Sequence, residues 1–387
     1  MKNKILTAVI GAALVAPGAA FADPANLKIS GFLKTGLNVY KLSGGTAASY
    51  DNEIRIDDQQ SRLIFSGTED LGGGVKAFFQ IDNRISSDLG AGGLPYGLAS
   101  GNTGVGVQGG FGKVTIGRWD LHFVELTHIE SNRAGSLQSI QSIGPVAQVN
   151  GTTLALGSRT DNLVMYDSAD FAGFTIRAAY SVNVRGNEGS GKGGDNSKDG
   201  AYNLVVRYAA GPLEGGASLW NLKAEGLADS VALPGGAAGT GGDQEALRAW
   251  VGFTYPSGLR VGFGYDHSEV RLAAGAGLTG RDAFVVPVAY AFGASTAYLT
   301  FSKMDEADGP AGTLADTGAE AVTVGFDRAL SKRTSVGAFY TKLTNDPAAT
   351  YNLFGCIATT TLCSGTASVV SAGEDSKQIY LGVLHTF

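Results

Sequence analysis

The sequence predicts an all-β fold, a 16-stranded antiparallel transmembrane β-barrel with long loops at one end and short turns at the other. Three observations support this prediction. Apolar and polar residues alternate with a period of two along sixteen stretches, and the connections between these stretches alternate between short and long. Glycine makes up 58 of the 387 residues, and each glycine in a helix interior costs about 1 kcal/mol relative to alanine, so helices are disfavoured.

The first 22 residues have the pattern of an export signal. Lys2 and Lys4 precede an apolar run, and the segment ends in Ala-Phe-Ala at residues 20–22, a small-x-small cleavage pattern. A retained membrane anchor is the alternative, but an anchor needs about 20 apolar residues and this run is shorter. We therefore expect residues 1–22 to be a cleaved signal peptide, followed by one β-barrel domain over residues 23–387.

The composition of the mature chain argues against two classes of protein. No later stretch reaches the roughly 18 uncharged apolar residues that a membrane-spanning helix needs. Loss of the two signal-peptide lysines leaves 27 basic and 35 acidic residues, a formal charge of −8 that matches nucleic acid poorly. We therefore expect neither a helical membrane protein nor a nucleic-acid partner.

Sixteen candidate strands follow one another without a linker between domains. The last strand shows the alternation best, because Ile379, Leu381 and Val383 share one face while Tyr380 and Gly382 share the other. Lipid offers no partner to backbone N–H and C=O groups, so a sheet can span a bilayer only when it closes on itself. The candidate strands lie near residues 27–40, 59–69, 74–84, 102–109, 112–118, 159–167, 172–183, 200–209, 214–223, 244–255, 258–270, 280–291, 294–304, 317–328, 333–343 and 376–387.

Charged residues oppose the apolar face on many of these strands. Outward side chains of a membrane barrel meet hydrocarbon, whereas inward side chains meet water and can be charged. A soluble sandwich or propeller is the alternative, and it gives no reason for charge on one face of nearly every strand. The alternation favours the membrane barrel and gives an inward basic set of Lys34, Arg62, Lys76, Arg84, Arg177, Arg207, Arg248 and Arg260.

One stretch carries a family resemblance. Residues 61–82 read SRLIFSGTEDLGGGVKAFFQID, which resembles the hairpin motif of Gram-negative general porins, particularly the neisserial and betaproteobacterial type. Further segments agree in order, namely GKVTIGR at residues 112–118, RTDNLVMYDS at residues 159–168 and LGVLHTF at residues 381–387. The resemblance covers essentially the whole mature chain.

The resemblance implies an outer-membrane porin of a Gram-negative bacterium, a water-filled channel for passive diffusion of ions and small hydrophilic solutes without a cofactor. It implies long outer loops, short periplasmic turns, a homotrimer in outer-membrane lipid and a third long loop folded into the pore. The unusually long connection over residues 119–158 would be that loop. The terminal Phe387 resembles the sorting signal read by the barrel-assembly machinery.

Basic wall residues facing an acidic loop form the predicted pore constriction. Rings of Arg and Lys lower the cost of stripping hydration from anions, which favours weak anion selectivity. The alternative is that these arginines only hydrate the wall or pair with Asp82, Asp161 and Asp266. We assign Arg62, Lys76, Arg84, Arg118, Arg133 and Arg177 to the basic side, and Asp82, Asp120, Glu125 and Glu130 to the acidic side.

Two smaller motifs raise the question of a covalent bond or a metal. Cys356 and Cys363 lie close together in a polar stretch of an exported chain, which favours a disulfide over a metal site. His122, Glu125 and His128 follow one another at a spacing of three, but no supporting ligands accompany them. We therefore expect a disulfide and no metal.

Two other functions compete with a channel. Some outer-membrane barrels are hydrolases with a Ser, a His and an acidic residue on one rim, but no Ser here lies in a GxSxG nucleophile elbow. We therefore assign no catalytic residue and expect no enzyme. A plugged barrel acting as an adhesin or structural anchor is the other alternative, although sixteen strands leave room for an aqueous channel. Conductance across a bilayer distinguishes the two.

Overall fold

The chain folds into one closed antiparallel barrel in the computed structural model. The structure describes residues 26–44, 53–88, 97–130, 137, 143–150, 152–153, 158–184, 199–224, 243–271, 277–353 and 370–387. No helix within these ranges is long and apolar enough to cross a membrane. The signal peptide, Arg133 and the Cys356 and Cys363 pair lie outside the described residues, so those expectations stay predictions.

Sixteen strands form the barrel, which confirms the number predicted from the alternation. Each strand pairs antiparallel with its neighbours in chain order, and the sixteenth pairs with the first. The strands are β1 Lys28–Gly44, β2 Glu53–Asp58 with Arg62–Gly72, β3 Val75–Arg84, β4 Thr103–Gly109, β5 Gly112–Asp120, β6 Arg159–Ser168, β7 Phe174–Ser181, β8 Asp199–Ala210, β9 Leu213–Ala224, β10 Gln244–Thr254, β11 Leu259–Arg271, β12 Leu278–Phe292, β13 Ser295–Met304, β14 Ala319–Ala329, β15 Thr334–Asn345 and β16 Glu374–Thr386.

The first and last strands close the sheet. Residues of β1 pair with residues of β16 from Phe32 opposite Thr386 to Gly44 opposite Glu374. Beyond these pairs, the Gly31 amide donates to the carbonyl of Phe387 and the Phe387 amide donates to that of Gly31, both at 3.1 Å. The Phe387 backbone therefore extends the closing seam, and the role of this residue as an assembly signal stays a prediction.

The second strand begins earlier than the sequence predicted and is interrupted at residues 59–61. Gln60 has a φ of 64°, in the left-handed region that most residues avoid. The Gln59 amide donates to the Lys34 carbonyl at 2.8 Å, and the Lys34 amide donates to the Ser61 hydroxyl at 2.9 Å. The Ser61 hydroxyl therefore accepts the hydrogen bond that a backbone carbonyl would accept in a regular strand pair. The sequence did not predict this interruption, because the polar run DDQQ at residues 57–60 resembles a turn.

Apolar side chains of the barrel are exposed and polar side chains are buried, the reverse of the arrangement in a soluble protein. Ile379, Leu381 and Val383 of β16 are about half exposed on the outer face, whereas Gln378 on the lumen face is fully buried. An apolar exterior and a polar interior are what a barrel in lipid requires. Large aromatic side chains are exposed at the short-turn end, including Phe111, Phe171, Phe174, Tyr255, Tyr290 and Phe292.

The described part of the third long loop packs against the lumen side of the barrel wall. It begins with a 3-10 helix, His122–Ile129, which packs against β9, β10 and β11. A short 3-10 turn, Pro145–Ala147, and a small ribbon of Gln148–Val149 with Thr152–Thr153 follow. We call His122–Ile129 the loop helix.

Three glycines make room for the loop helix on the barrel wall. A Cβ atom at Gly264 would lie 2.8 Å from Cδ2 of Leu126, and one at Gly262 would lie 3.0 Å from Cβ of Ile129. Gly252, which pairs with Gly262 across β10 and β11, leaves 3.1 Å to Cγ2 of the same Ile129. The helix approaches the wall closely because these positions carry no side chain.

Replacement of Gly264 by valine should push the loop helix away from the wall. The new side chain would overlap Leu126 and Val285, and overpacking of this kind costs about 1–3 kcal/mol. We expect a lower thermal unfolding temperature of the detergent-folded barrel, measured by circular dichroism. Gly110→Val is the matched control, because no atom lies within 4 Å of a Cβ at that position. Equal stability of the two variants would contradict this packing.

Candidate functional site

Buried arginines of the wall bind the backbone of the third loop. Arg248 of β10 donates from Nη1 to the carbonyls of His122 at 3.0 Å and Phe123 at 2.6 Å. Arg281 of β12 donates from Nε to the carbonyl of Gln148 at 2.7 Å. A loop inside a barrel has few strand partners for its carbonyl groups, so the guanidinium groups supply donors that the backbone lacks.

Arg260 of β11 holds the end of the loop helix. Its guanidinium group donates to the carbonyls of His128 and Glu130 and forms an ion pair with Glu214 of β9 at 2.5 Å. The sequence placed Arg248 and Arg260 in an open basic wall. In the structure both groups anchor the loop, so their charge faces carbonyl oxygens rather than free lumen.

Asp266 of β11 is the carboxylate that forms ion pairs with two of these arginines. Arg281 Nη1 lies 2.7 Å from Asp266 Oδ1, and Arg248 Nε forms an ion pair with Asp266 Oδ2. The Ser268 hydroxyl donates to the same carboxylate at 2.6 Å. The three charged side chains are at most 1% exposed, so removal of Asp266 would leave two buried arginines without this carboxylate, whereas removal of one arginine leaves the other paired with Asp266.

Glu125 of the loop helix, predicted on the acidic side of the constriction, is buried against the basic wall. Arg207 Nε donates to Glu125 Oε2 at 2.8 Å, and Arg177 Nη1 lies 3.8 Å from Glu125 Oε1. Arg177 Nε also lies 2.7 Å from a carboxylate oxygen of Asp167. Opposite charges therefore face each other as expected, but Glu125 contacts its partners directly and neutralises them.

A second cluster, which we call the Arg62–Arg84 cluster, forms near the long-loop ends of β3 and β5. Arg62 and Arg84 are direct register partners, and Arg62 Nη1 lies 3.3 Å from Asp82 Oδ2. Asp120 interacts electrostatically with both arginines and with Arg159, its register partner on β6. The structure thus brings together four residues that the sequence assigned to the constriction.

Arg62 and Arg84 each keep a buried N–H group for which the described residues provide no acceptor. Within the described ranges, neither Arg62 Nε nor Arg84 Nε has a hydrogen-bond partner. The Arg84 side chain donates from Nη1 to the Gln60 carboxamide at 3.2 Å, and the residue is only 6% exposed. A buried donor of this kind attracts water or an anion, because leaving it unmet costs about 1–3 kcal/mol.

Of the other predicted site residues, Lys76 lies away from this cluster and Arg118 has a different ion-pair partner. Lys76 is exposed at the short-turn end of β3, about 26 Å along the strand from Arg84 at ~3.3 Å per residue. Arg118 forms an ion pair with Asp161, one of the pairings considered for the basic wall. The two-residue alternation correctly predicted that Lys76 faces the lumen. It could not predict how far along the pore axis the side chain lies.

An outer segment over residues 346–353 contacts the third loop, a contact that the sequence did not predict. Gln148 and Asn352 exchange two hydrogen bonds of 2.7 and 3.1 Å. The Thr350 amide donates to the Asn150 side-chain oxygen at 3.0 Å. The partners are 200 or more positions apart, and no local pattern of polar residues indicates such a pair.

The histidine and glutamate motif of the loop does not form a metal site. The Glu125 carboxylate is engaged by Arg207, and His122 Nδ1 lies 2.8 Å from the Ser218 hydroxyl. Burial holds the pKa of His122 well below 6.5, so its ring is neutral. Among the described residues, no group of three or more His, Cys, Asp or Glu side chains is placed to hold a metal ion.

Glu130, at the end of the loop helix, lies in a site that disfavours its charge. Burial raises the pKa of Glu130 to about 8, although Lys34 and Arg260 lower it. Its Oε1 atom has no hydrogen-bond partner within the described ranges. The carboxyl group is therefore mostly protonated at neutral pH and adds little negative charge to the lumen.

The fold and these clusters define a class of protein. A closed sheet with an apolar exterior encloses a polar interior, and a loop held by ion pairs narrows that interior. A 16-stranded barrel of this kind leaves an aqueous passage through the membrane. The molecule is therefore a transmembrane channel.

Comparisons with known proteins give the family. A family model described as Gram-negative porin matches residues 7–348. The chain is 28% identical over 345 residues to the major outer membrane protein P.IB of Neisseria meningitidis serogroup B, which covers 86% of this chain and 91% of that protein. The chain belongs to the Gram-negative porin family, and it is an outer-membrane channel rather than an enzyme.

Solved structures share the fold. An anion-selective porin from Comamonas acidovorans has a TM-score of 0.72 at 23% identity, covering 93% of this chain and 99% of that chain. The trimer form of OmpT from Vibrio cholerae has a TM-score of 0.63 at 15% identity, with the same coverage of 93% and 99%. The resemblance drawn from residues 61–82 and the later motifs is confirmed.

Replacement of Arg248 by alanine should destabilise the folded barrel strongly. The change removes two hydrogen bonds from a charged donor to the loop carbonyls, each contributing about 1.5–3 kcal/mol, and leaves Arg281 as the arginine partner of Asp266. Denaturant unfolding in detergent measures the loss. Arg271→Ala is the control, because its pair with Asp243 is partly exposed and should contribute at most about 1 kcal/mol.

The stability of the barrel should depend on pH through Glu130. Its pKa is about 8 in the folded chain and near 4.5 when unfolded, so between these values the folded state holds a proton that the unfolded state has lost. Stability contributed by this group is therefore full below about pH 4.5 and falls as pH rises to about 8. Glu130→Gln should flatten this fall in thermal unfolding scans, whereas the exposed Glu320→Gln should not.

Proposed function

We propose that the channel conducts ions and small hydrophilic solutes by passive diffusion with a weak preference for anions. The observation that carries the preference is the register pairing of Arg62 with Arg84 in the lumen. With Arg159 they place three guanidinium groups against the carboxylates of Asp82 and Asp120, so the local charge is positive. The similarity of the fold to an anion-selective porin supports the proposed preference for anions.

The Arg62–Arg84 cluster acts by replacing part of the hydration of a passing anion. Arg62, whose side chain is 26% exposed, can take the place of water around an anion, whereas Arg84, which is only 6% exposed, acts through its positive charge. The Asp82 carboxylate beside Arg62 limits how tightly the cluster binds an anion. Conduction needs binding that is favourable enough for entry and weak enough for exit, and the paired carboxylate provides that balance.

The third loop adds little opposing charge to this path. Glu125 is neutralised by Arg207 and Arg177, and Glu130 is mostly protonated at neutral pH. The sequence predicted a field between an acidic loop and a basic wall. We propose instead that the loop narrows the lumen and that the Arg62–Arg84 cluster provides the selective charge.

Alanine at Arg62 should shift ion selectivity toward cations. The variant loses one of three guanidinium charges at the cluster, and we expect the anion-to-cation permeability ratio to fall by about threefold to tenfold. The reversal potential of single channels in a planar bilayer under a salt gradient measures this ratio. Lys76→Ala is the matched control, since Lys76 faces the lumen far from the cluster and should change the ratio less.

The outcomes separate the channel from the selectivity site. Open steps with unchanged selectivity in Arg62→Ala would keep the channel and reject the Arg62–Arg84 cluster as its selective element. Equal shifts in Arg62→Ala and Lys76→Ala would show that charge anywhere along the lumen sets selectivity. A folded wild-type barrel without open steps would reject conduction and favour the adhesin or anchor alternative.

We further propose that three copies assemble into a homotrimer in the outer membrane. The family and the trimer form of the similar Vibrio cholerae structure support this state. Native mass spectrometry of the protein extracted from outer membranes should give three times the mass of a chain without residues 1–22. A single copy would reject the trimer, and a full-length mass would reject cleavage of the signal peptide.

A further inference from the structure

His128, at the end of the loop helix, exposes its ring inside the barrel. The side chain is 45% exposed, whereas that of Glu125, one helical turn earlier, is fully buried. The ring stacks on Trp250 of β10, with ring centroids 5.9 Å apart and planes inclined by 11°. Trp250 is buried on the lumen side of the wall, where it alternates with the exposed, outward Val251. One face of the imidazole therefore covers Trp250, and the other meets lumen water.

The protein holds this ring in one place. Arg260 donates to the backbone carbonyl of His128. The adjacent Ile129 packs against the wall at Gly252 and Gly262, where no side chain separates the helix from the strands. A charge on the His128 ring would therefore act from a fixed point of the lumen.

The other three histidines are placed differently, and all four lie within the described ranges. His122 is buried at the start of the loop helix. His267 and His385 occupy outward-facing positions of β11 and β16. Of the four, His128 is thus the histidine whose ring can exchange a proton with water in the lumen.

The ion pairs around the loop helix balance one another. Three carboxylates and three guanidinium groups form these pairs, namely Glu125, Asp167, Glu214, Arg177, Arg207 and Arg260. At the start of the helix, Arg248 and Arg281 share Asp266, and these side chains are at most 1% exposed. Carboxylates and guanidinium groups ordinarily keep their charges between about pH 5 and 8, whereas histidine changes its charge in this range. A proton on His128 therefore adds a positive charge to six groups whose charges otherwise cancel.

Two neighbours favour the protonated ring. Nε2 of His128 lies 3.6 Å from Oε2 of Glu125, and the face of Trp250 attracts a cation within about 6 Å. The guanidinium groups of Arg207 and Arg260 oppose the proton, but each is paired with a carboxylate. The ring is therefore supported as a cation in the position that it occupies.

We propose that His128 determines ion specificity, and that the channel prefers anions more strongly when this ring is protonated. This role deepens the proposed diffusion of ions through the channel and rests on it. A positive charge beside the path raises the local concentration of anions and lowers that of cations, so both changes alter the permeability ratio in the same direction. Mildly acidic surroundings would thereby favour the passage of small anions.

The reversal potential of single channels under a salt gradient measures this effect on the intact, folded protein. We expect the anion-to-cation permeability ratio of wild type to rise about twofold to fivefold from pH 7.5 to pH 5. The rise should be smaller at high ionic strength, because the Debye length falls to about 3 Å at 1 M salt and the charge of the ring is screened.

Two substitutions at His128 should fix the ratio at opposite ends of this range. His128→Phe keeps an aromatic ring on Trp250 but cannot take up a proton, so its ratio should stay near the wild-type value of pH 7.5 at both pH values. His128→Lys is charged at both pH values, and its ratio should stay near the wild-type value of pH 5. His128→Gln is the second neutral variant, for the case in which the phenyl ring prevents folding.

Two controls identify the group that responds. The His267 side chain is 44% exposed, nearly the same as His128, and its Nδ1 lies 2.8 Å from a carboxylate oxygen of Asp282, but it is on the outer face. His267→Gln should therefore keep the wild-type response, because the barrel wall separates this charge from the lumen. Glu130→Gln should keep most of the response, since a pKa of about 8 leaves the Glu130 carboxyl mostly protonated at both pH values.

Three results would overturn the role of His128. A wild-type permeability ratio that does not change with pH would reject it. An unchanged response in His128→Phe and His128→Gln would assign the response to another group. An equal loss of the response in His267→Gln would show that titration outside the lumen produces it.

Failure of this role is distinguishable from failure of the proposed anion preference. Without a pH response, the Arg62→Ala measurement at a single pH would still decide the anion preference. A wild type that prefers cations at both pH values, with a shift that requires His128, would reject the anion preference and support the role of His128.

Discussion

Closure of the sheet by backbone hydrogen bonds is the constraint on which the rest of this structure depends. Lipid cannot satisfy a free N–H or C=O group, so β1 must pair with β16, and the terminal Phe387 pairs with Gly31 to complete the seam. Once the sheet is closed, each residue faces either lipid or lumen. The alternation of apolar and polar side chains is therefore a consequence of closure, and it divides the chemistry of the protein between two surfaces.

The lumen surface uses arginine for two different tasks. A loop folded into the barrel brings carbonyl groups into a space with few backbone donors, and Arg248, Arg260 and Arg281 supply those donors. Arg62 and Arg84 keep N–H groups that no described protein atom accepts. A count of inward arginines therefore overstates the charge available to a solute, because the anchoring groups are already bound to the protein.

The outer surface follows from the same alternation of inward and outward residues, but its side chains face the membrane instead of water. On β1, Lys34 faces the lumen and Lys41 faces outward, seven residues further along the strand. The odd spacing reverses the face, so one lysine lies on the lumen side of the wall and the other on its outer side. The position of a charge relative to the wall, rather than its sign alone, decides which partner it meets.

The sequence by itself determined the number of strands, the face of each side chain and the family. These properties are local, since the two-residue repeat of a strand is set by its own backbone and the hairpin at residues 61–82 is a continuous motif. Only the tertiary structure decided that Arg248 binds the His122 carbonyl 126 positions away, or that Gln148 meets Asn352. Such pairs depend on where a long loop folds back, and the loop path is fixed by contacts distributed over the whole barrel. A strand pattern can place a charge on the lumen wall, but its height and its partner require the closed fold.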